Sequence, residues 1–236
     1  MMFVRQLFDR DTWTYTYLLA DLVTKDAAII DPVREQFDRD AQLIKELGFN
    51  LKYVFETHVH ADHVTSAGKL RDRFGAKIVL QETSGATCAD ILAKDGDVLQ
   101  LGDKEIVVLH TPGHTDADAT FQIEGAVFTG DTLLVRGCGR TDFQSGSNEK
   151  LYGSINDKIF SLPDETAIYP GHDYNGQTVS TVGEEKAFNP RLGAGRNLGV
   201  FSGIMDNLSL PAPARIKESL PGNMRCGDEL NGLVRH

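Results

Sequence analysis

The sequence predicts an α/β fold in which metal-binding side chains gather where strands end. Strand-like runs alternate with amphipathic helical stretches as far as about residue 175. Six of the seven histidines fall in three short segments, residues 57–63, 110–115 and 170–174, and each segment follows or closes a strand-like run. Ligands distant in sequence would therefore converge on one rim of a sheet.

Taken in order, residues 2–8, 15–20 and 27–30 read as strands, with the polar stretch 24–26 suited to a hairpin and Asp31-Pro32 closing the third run. From 36 to 47, Phe37, Ala41, Ile44 and Leu47 recur at helical spacing and Gly48 marks the stop. Residues 51–56 return as a strand, 64–74 as a helix ending at Gly75, and 77–80 as a short strand. The runs 105–109, 119–123 and 126–129 deliver His110, the turn Thr111-Pro112-Gly113-His114, and Asp131 within Gly130-Asp131-Thr132. A helix over 150–162 and a last strand over 166–169 lead to Gly171-His172-Asp173-Tyr174. Helical stretches follow at 178–188 and 198–207, and then a Pro- and Gly-rich stretch at 210–227. We read one domain over 1–236, with a core over about 3–175 and an extension over about 176–236 that covers the site.

Composition narrows the function classes. The chain is 41% hydrophobic and 25% charged, and no apolar run approaches the roughly 18 residues that a membrane span needs. A formal charge of -10 argues against non-specific nucleic-acid binding, because there is no basic field to displace counterions from phosphates. Residues 2–8 read directly as a strand with no leader-like segment, so a cytoplasmic location is expected. Cys88, Cys138 and Cys226 are far apart and odd in number, which suggests neither a disulfide framework nor a zinc knuckle and fits a reducing compartment.

The segment Thr57-His58-Val59-His60-Ala61-Asp62-His63 carries three imidazoles and a carboxylate in six residues. Such donors without thiolate suit zinc, ferrous iron or manganese. Two histidines and one carboxylate on one face of an octahedron leave open positions, which is the pattern of catalysis, whereas a structural zinc closes its positions with protein ligands.

His58-x-His60-x-Asp62-His63, the Thr-Pro-Gly-His turn at His114, Gly130-Asp131-Thr132 and Pro170-Gly171-His172 resemble, in order and spacing, the metallo-β-lactamase superfamily. That resemblance implies an αββα sandwich with metal at one edge. Within the superfamily, residues 137–144 (Gly-Cys-Gly-Arg-Thr-Asp-Phe-Gln), Pro170–Tyr174 and Asn223-Met224-Arg225-Cys226-Gly227 are similar to the persulfide dioxygenases; glyoxalase II is the rival. The first implies one Fe(II) per chain held by His58, His114 and Asp131, which oxidises glutathione persulfide with O2 and water to sulfite and glutathione. The second implies a two-metal thioester hydrolase that also uses His60, Asp62, His63 and His172.

For a single metal, His60, His63 and His172 serve as hydrogen-bond partners around the ligands, and Asp62 sits where it would cap the following helix or orient an imidazole. The spacing of the ligands, on three different loops, fits one metal or two. Tyr174 is a candidate to reach the open metal positions, and Arg140 and Arg225 are candidates to fork a substrate carboxylate, with Arg140 alternatively tying the Gly-rich loop. His110 is expected to be a neutral, internally bonded imidazole, and Cys138 to pack. Gly113, Gly130 and Gly171 allow tight turns beside the metal. The resemblance also suggests a homodimer, and a sulfurtransferase upstream is plausible.

Overall fold

A computed structural model describes residues 2–228; the ends of the expected 1–236 domain, including His236, lie outside them. Two six-stranded sheets face each other. The first runs in chain order through β1 (Met2–Phe8), β2 (Tyr15–Asp21), β3 (Asp26–Ile30), β4 (Asn50–Phe55), β5 (Lys77–Gln81) and β6 (Ile91–Ala93). The second comprises β7 (Val98–Leu101), β8 (Lys104–His110), β9 (Ala119–Ile123), β10 (Ala126–Gly130), β11 (Ala167–Pro170) and β12 (Ser180–Thr181), again with sequential neighbours. β1, β2 and β3 pair antiparallel, whereas β3 to β6 are parallel; in the second sheet the single parallel pair is β10 with β11.

Parallel neighbours need a crossover, and helices supply it. Helix α1 (Phe37–Glu46) joins β3 to β4 and α2 (Ala67–Phe74) joins β4 to β5. Helix α3 (Asn148–Gly153), continued by a π-helical stretch Ser154–Ile159, lies between β10 and β11. The helix expected over 150–162 is thus present but changes its winding midway. After β12 come α4 (Val182–Phe188), α5 (Leu198–Asp206) and α6 (Ile216–Asn223).

Period-two alternation explains why β2 is buried along its whole length. Tyr17 and Leu19 enter the core between the sheets with Phe55, Val79, Ile106, Phe121 and Phe128. Leu18 and Ala20 point the other way, into the layer with Ile44 and Leu70 of α1 and α2. On the far side, Val127 and Ile168 meet Leu151, Ile155 and Phe201. The order of layers is therefore helix, sheet, sheet, helix, as the family resemblance implies.

The structure departs from the sequence expectations in the C-terminal part. Residues 216–223 form α6 despite Pro221, because Leu220 and Met224 pack onto the α1/α2 layer together with Cys226. Cys88 and Cys226, expected to be unpaired, are joined in a disulfide across 138 residues. Their Cα atoms lie 5.8 Å apart, inside the range that a disulfide bridges, because α6 carries the chain back over the turn before β6.

One buried acid makes the fold pH-sensitive. Asp40 in α1 is 0% exposed, pairs with Arg39 at 2.8 Å through one oxygen, and has no hydrogen-bond partner on the other among the described residues. Burial raises its carboxyl from 3.8 to about 6, against the pull of Arg39. The folded chain then holds a proton that the unfolded chain releases above pH about 4. The stability associated with this group is present below that pH and is lost as pH rises towards 6, by at most about 3 kcal/mol. Burial raises Asp118 to about 6 as well, so urea midpoints measured between pH 4 and 6 should show a decline that Asp40→Asn makes shallower, leaving the share of Asp118.

Candidate metal centre

Four strand ends place the candidate ligands. His58, His60, Asp62 and His63 lie on the loop between β4 and α2; His114 follows β8; Asp131 directly follows β10; His172 follows β11. Backbone hydrogen bonds draw these loops together, from Gly171 N to Gly130 O at 2.8 Å and from Ala119 N to Thr57 O at 2.8 Å. Gly130 has φ 49°, and a Cβ there would lie 2.4 Å from Thr57 Oγ1; a Cβ on Gly171 would lie 2.9 Å from Asp131 Oδ1. Larger residues at these two points would push the loops apart.

Hydrogen bonding fixes which nitrogen each imidazole offers. His114 Nδ1 lies 2.8 Å from Arg140 O and His172 Nδ1 lies 3.1 Å from Trp13 O. A carbonyl only accepts, so both Nδ1 atoms carry a proton and both rings turn Nε2 towards the centre; burial opposes charge on His172, but Asp131 and Asp62 outweigh it and raise its imidazole above the ordinary range. At His58 the same result comes through a relay. Thr57 Oγ1 donates to Asp31 Oδ2 at 2.7 Å, so it must accept from His58 Nδ1 at 3.0 Å. His63 Nδ1 donates to Asp62 Oδ2 at 3.0 Å, and its Nε2 is buried without a hydrogen-bond partner among the described residues, as is Asp131 Oδ1.

These free atoms converge. Donor atoms of His58, His114 and Asp131 all lie within 4.8 Å of one another, and so do those of His60, Asp62 and His63. Asp131 stands between the groups, with Oδ2 3.6 Å from His114 Nε2 and Oδ1 3.6 Å from His172 Nε2. Buried lone pairs aimed at a shared point, with an unpartnered carboxylate oxygen beside them, fit a hard or borderline cation.

The electrostatics distinguish the two groups. Burial, reinforced by His60 and His114, holds His58 well below the ordinary imidazole range, so it stays neutral and available as a donor. Burial also opposes charge on His60, but Asp31 and Glu56 outweigh it and hold His60 well above that range. Its Nε2 lies 3.1 Å from Asp31 Oδ1 and 3.3 Å from Glu56 Oε2. Asp62 is held well below the carboxylate range, its burial overcome by His63 and His172.

Asp62 does not cap α2. That helix starts at Ala67 after Ser66, and Asp62 instead orients His63 and accepts from Thr14 Oγ1 at 3.2 Å. Tyr174 is 61% exposed and stacks on His172 at 6.2 Å, with Trp13 6.0 Å away on the same rim. Arg140 touches the centre through its carbonyl on His114. Its guanidinium forks onto Asp142, donates to Pro211 O at 2.6 Å and stacks on Phe143, which matches the loop-tying expectation better than a free carboxylate fork. Arg225 lies on the segment after α6, between Met224 and Cys226, with its Nε buried and unpartnered among the described residues. His110 Nε2 lies 2.9 Å from Asp116 O. Cys138 is 3% exposed in the core beside Met205, and burial pushes its thiol up.

The sequence reading assigned no role at the site to four contributors, Asp31, Glu56, Thr57 and Asn223, although Thr57 and Asn223 lie in motifs it quoted. Asp31 read only as a strand terminator, and Glu56 and Thr57 as the end of β4 and its exit. Their adjacency to the histidine loop was the available signal. A cavity of about 270 Å³ opens beside the site, lined by Val59, Thr115, Ala117, Gln144, Leu220 and Met224 among others.

The family model described as metallo-beta-lactamase superfamily matches residues 14–172. The chain belongs to that superfamily. Two relatives named "Persulfide dioxygenase ETHE1, mitochondrial", from Bos taurus and Homo sapiens, are each 49% identical over 95% of this chain and 88% of their own length. The crystal structure of ETHE1 from Myxococcus xanthus matches with a TM-score of 0.93 and 50% identity, covering 96% of this chain and 100% of that chain. A metallo-beta-lactamase from Staphylococcus aureus matches with a TM-score of 0.87 and 26% identity, covering 98% of this chain and 73% of that chain. Within the superfamily, the chain belongs with the persulfide dioxygenases and is an enzyme of that type. No helix among the described residues is long and apolar enough to cross a membrane.

The relay through Thr57 yields a direct test. Thr57→Val removes the hydroxyl that fixes the His58 tautomer while keeping side-chain volume. Metal affinity should fall by about 10- to 100-fold, read by competition with a chelator, with the fold intact by circular dichroism.

Proposed function

We propose that this enzyme oxidises glutathione persulfide with dioxygen and water to sulfite and glutathione, using one Fe(II) per chain held by His58, His114 and Asp131. The atoms balance: the outer sulfur of the persulfide gains two oxygens from O2 and one from water, and the inner sulfur leaves as the thiol. The observation that carries this reading is the likeness, over nearly the whole chain, to proteins named persulfide dioxygenase. The convergence of two neutral-donor imidazoles with one carboxylate supports it from the geometry.

Iron, when bound, supplies redox chemistry and open positions at which a sulfur anion and dioxygen can meet. The protein's part is position and room. Thr57 and Arg140 O fix the rings of His58 and His114 through their Nδ1 atoms, and Trp13 O fixes His172 beside Asp131. The open cavity beside Val59 and Thr115 offers room for the tripeptide, with apolar contact surface at Leu220 and Met224. Tyr174 and Arg225 are the residues we assign to substrate contacts, and Arg140 contributes by tying its loop. His60, Asp62, His63 and His172 orient the ligands. A single domain, a cytoplasmic setting, a homodimer and a sulfurtransferase that supplies the persulfide complete the reading.

Thioester hydrolysis of the glyoxalase II kind is not favoured by the likenesses, although the second donor group keeps it open to experiment. Anaerobically purified protein should contain one iron per chain. With glutathione persulfide it should consume oxygen and form sulfite, and it should leave S-lactoylglutathione intact. Two zinc ions per chain together with thioester turnover would overturn the proposal. Replacing His58, His114 or Asp131 with Ala should abolish both iron retention and oxygen uptake, measured by metal analysis and an oxygen electrode.

A further inference from the structure

The metal loop is gripped from behind by the segment that ends α6. Asn223 is 5% exposed and turns its amide onto the loop backbone. Its Nδ2 donates to His60 O and to His63 O, both at 2.8 Å, and its Oδ1 accepts from Thr65 N at 2.9 Å. The two carbonyls precede α2, so no helical hydrogen bond satisfies them. Burying such groups unpaired would cost about 1–3 kcal/mol each. One side chain therefore ties the loop backbone at three points between His60 and Thr65.

The grip is fastened farther along the same segment. Gly68 N donates to Cys226 O at 2.8 Å, Arg34 donates to Gly227 O, and Arg71 donates to Asp228 at 2.9 Å. The only covalent fastening among the described residues is the Cys88–Cys226 disulfide, which ties the segment to the turn before β6. That turn is itself anchored, since Arg71 Nη1 donates to Cys88 O at 3.1 Å and Asp90 N donates to Ile78 O at 2.9 Å. Cys226 is 1% exposed while Cys88 is partly open, so an external thiolate meets the Cys88 sulfur first. Leu220 and Met224 of the same segment also wall the cavity beside the site.

We propose that Asn223 is a positioning residue for the metal loop, and that the Cys88–Cys226 disulfide makes its grip sensitive to low-molecular-weight thiols. Attack by a thiolate on the Cys88 sulfur forms a mixed disulfide and releases the Cys226 thiolate, which takes up a proton. A second thiol resolves the mixed disulfide, leaving two protein thiols and the oxidised reductant, a two-electron exchange. The released segment holds the loop less firmly, and the metal escapes faster. This rests on the reading that the loop holds iron, and on that reading the reaction's own thiol product belongs to the class that would reduce the bond.

The test loads the full chain with Fe(II) anaerobically and follows capture of the iron by a coloured chelator, with and without dithiothreitol. Thiol counting on the unreduced protein should find Cys138 alone. Dithiothreitol should speed iron release from the parent protein about tenfold. Cys88→Ser, which changes no hydrogen bond to the loop, should release at that faster rate whether or not dithiothreitol is present, which also controls for any chelation by the reductant. Asn223→Asp keeps the acceptor for Thr65 and loses both donors. It should release iron faster with the disulfide intact, and should shift the visible spectrum of the cobalt(II)-loaded protein, which a merely stabilising residue would leave in place.

Three free thiols, or release from the parent protein that ignores dithiothreitol, would overturn the thiol sensitivity. An Asn223→Asp protein with the parent's release rate and cobalt spectrum would overturn the positioning role. A parent protein that retains neither iron nor cobalt would instead defeat the metal reading beneath it.

Discussion

A carboxylate buried where β3 ends is the constraint on which the site depends. Asp31 is 1% exposed, and an ionised carboxylate left unpaired at that depth would cost several kcal/mol. Its partners are Thr57 N and Thr57 Oγ1, both at 2.7 Å, and His60 Nε2 at 3.1 Å. All of them belong to the histidine loop, so satisfying the charge and shaping the loop are one event. The residue also sits at φ 50°, a region that aspartate tolerates better than bulkier side chains. From that anchor the proton on Thr57 is committed, the His58 tautomer follows, and its Nε2 is left as the candidate donor.

The convergence of the candidate ligands was legible in the sequence because their chemistry is local. Three imidazoles and a carboxylate in six residues have few other uses, and the strand-like runs before His58, His114, Asp131 and His172 already implied a common rim. The fold followed from the same alternation, since strands and crossover helices appear where the apolar period changes from two to about 3.6. Tertiary partners were not legible. Asn223 serves residues 158 to 163 positions away, and the Cys88–Cys226 bond spans 138 residues, distances at which spacing carries no signal. The short strands β6 and β7 have three and four residues, too few to show a period. Helix α6 contains Pro221 and forms only because Leu220 finds the layer beneath it.

Arginine near the site shows how packing selects among sequence readings. Arg140 had two uses on paper, and the structure satisfies its planar fork within the protein, through Asp142 and the carbonyl of Pro211. The energetic reason is plain. A guanidinium with a bidentate carboxylate two residues away and an aromatic face at 4.4 Å gains little by leaving them for a mobile ligand. What the residue gives the centre is its carbonyl, which receives the His114 Nδ1 proton. The backbone of a tied loop thus does for His114 what the Thr57 hydroxyl does for His58.

The C-terminal segment then has to be regarded as part of the site instead of a lid laid over it. Val59 comes from the histidine loop, Thr115 follows His114, and Leu220 and Met224 come from α6 and its exit, yet all four line one cavity. Asn223 lies between the last two and holds the loop that carries the first. Any displacement of α6 therefore changes the cavity wall and the ligand loop together, since no independent element separates them. Close-packed interiors respond to such displacement by shifting between discrete arrangements, not by yielding evenly. The cavity wall and the histidine loop are consequently joined through a single short helix, whose exit is fastened by a covalent bond as well as by hydrogen bonds.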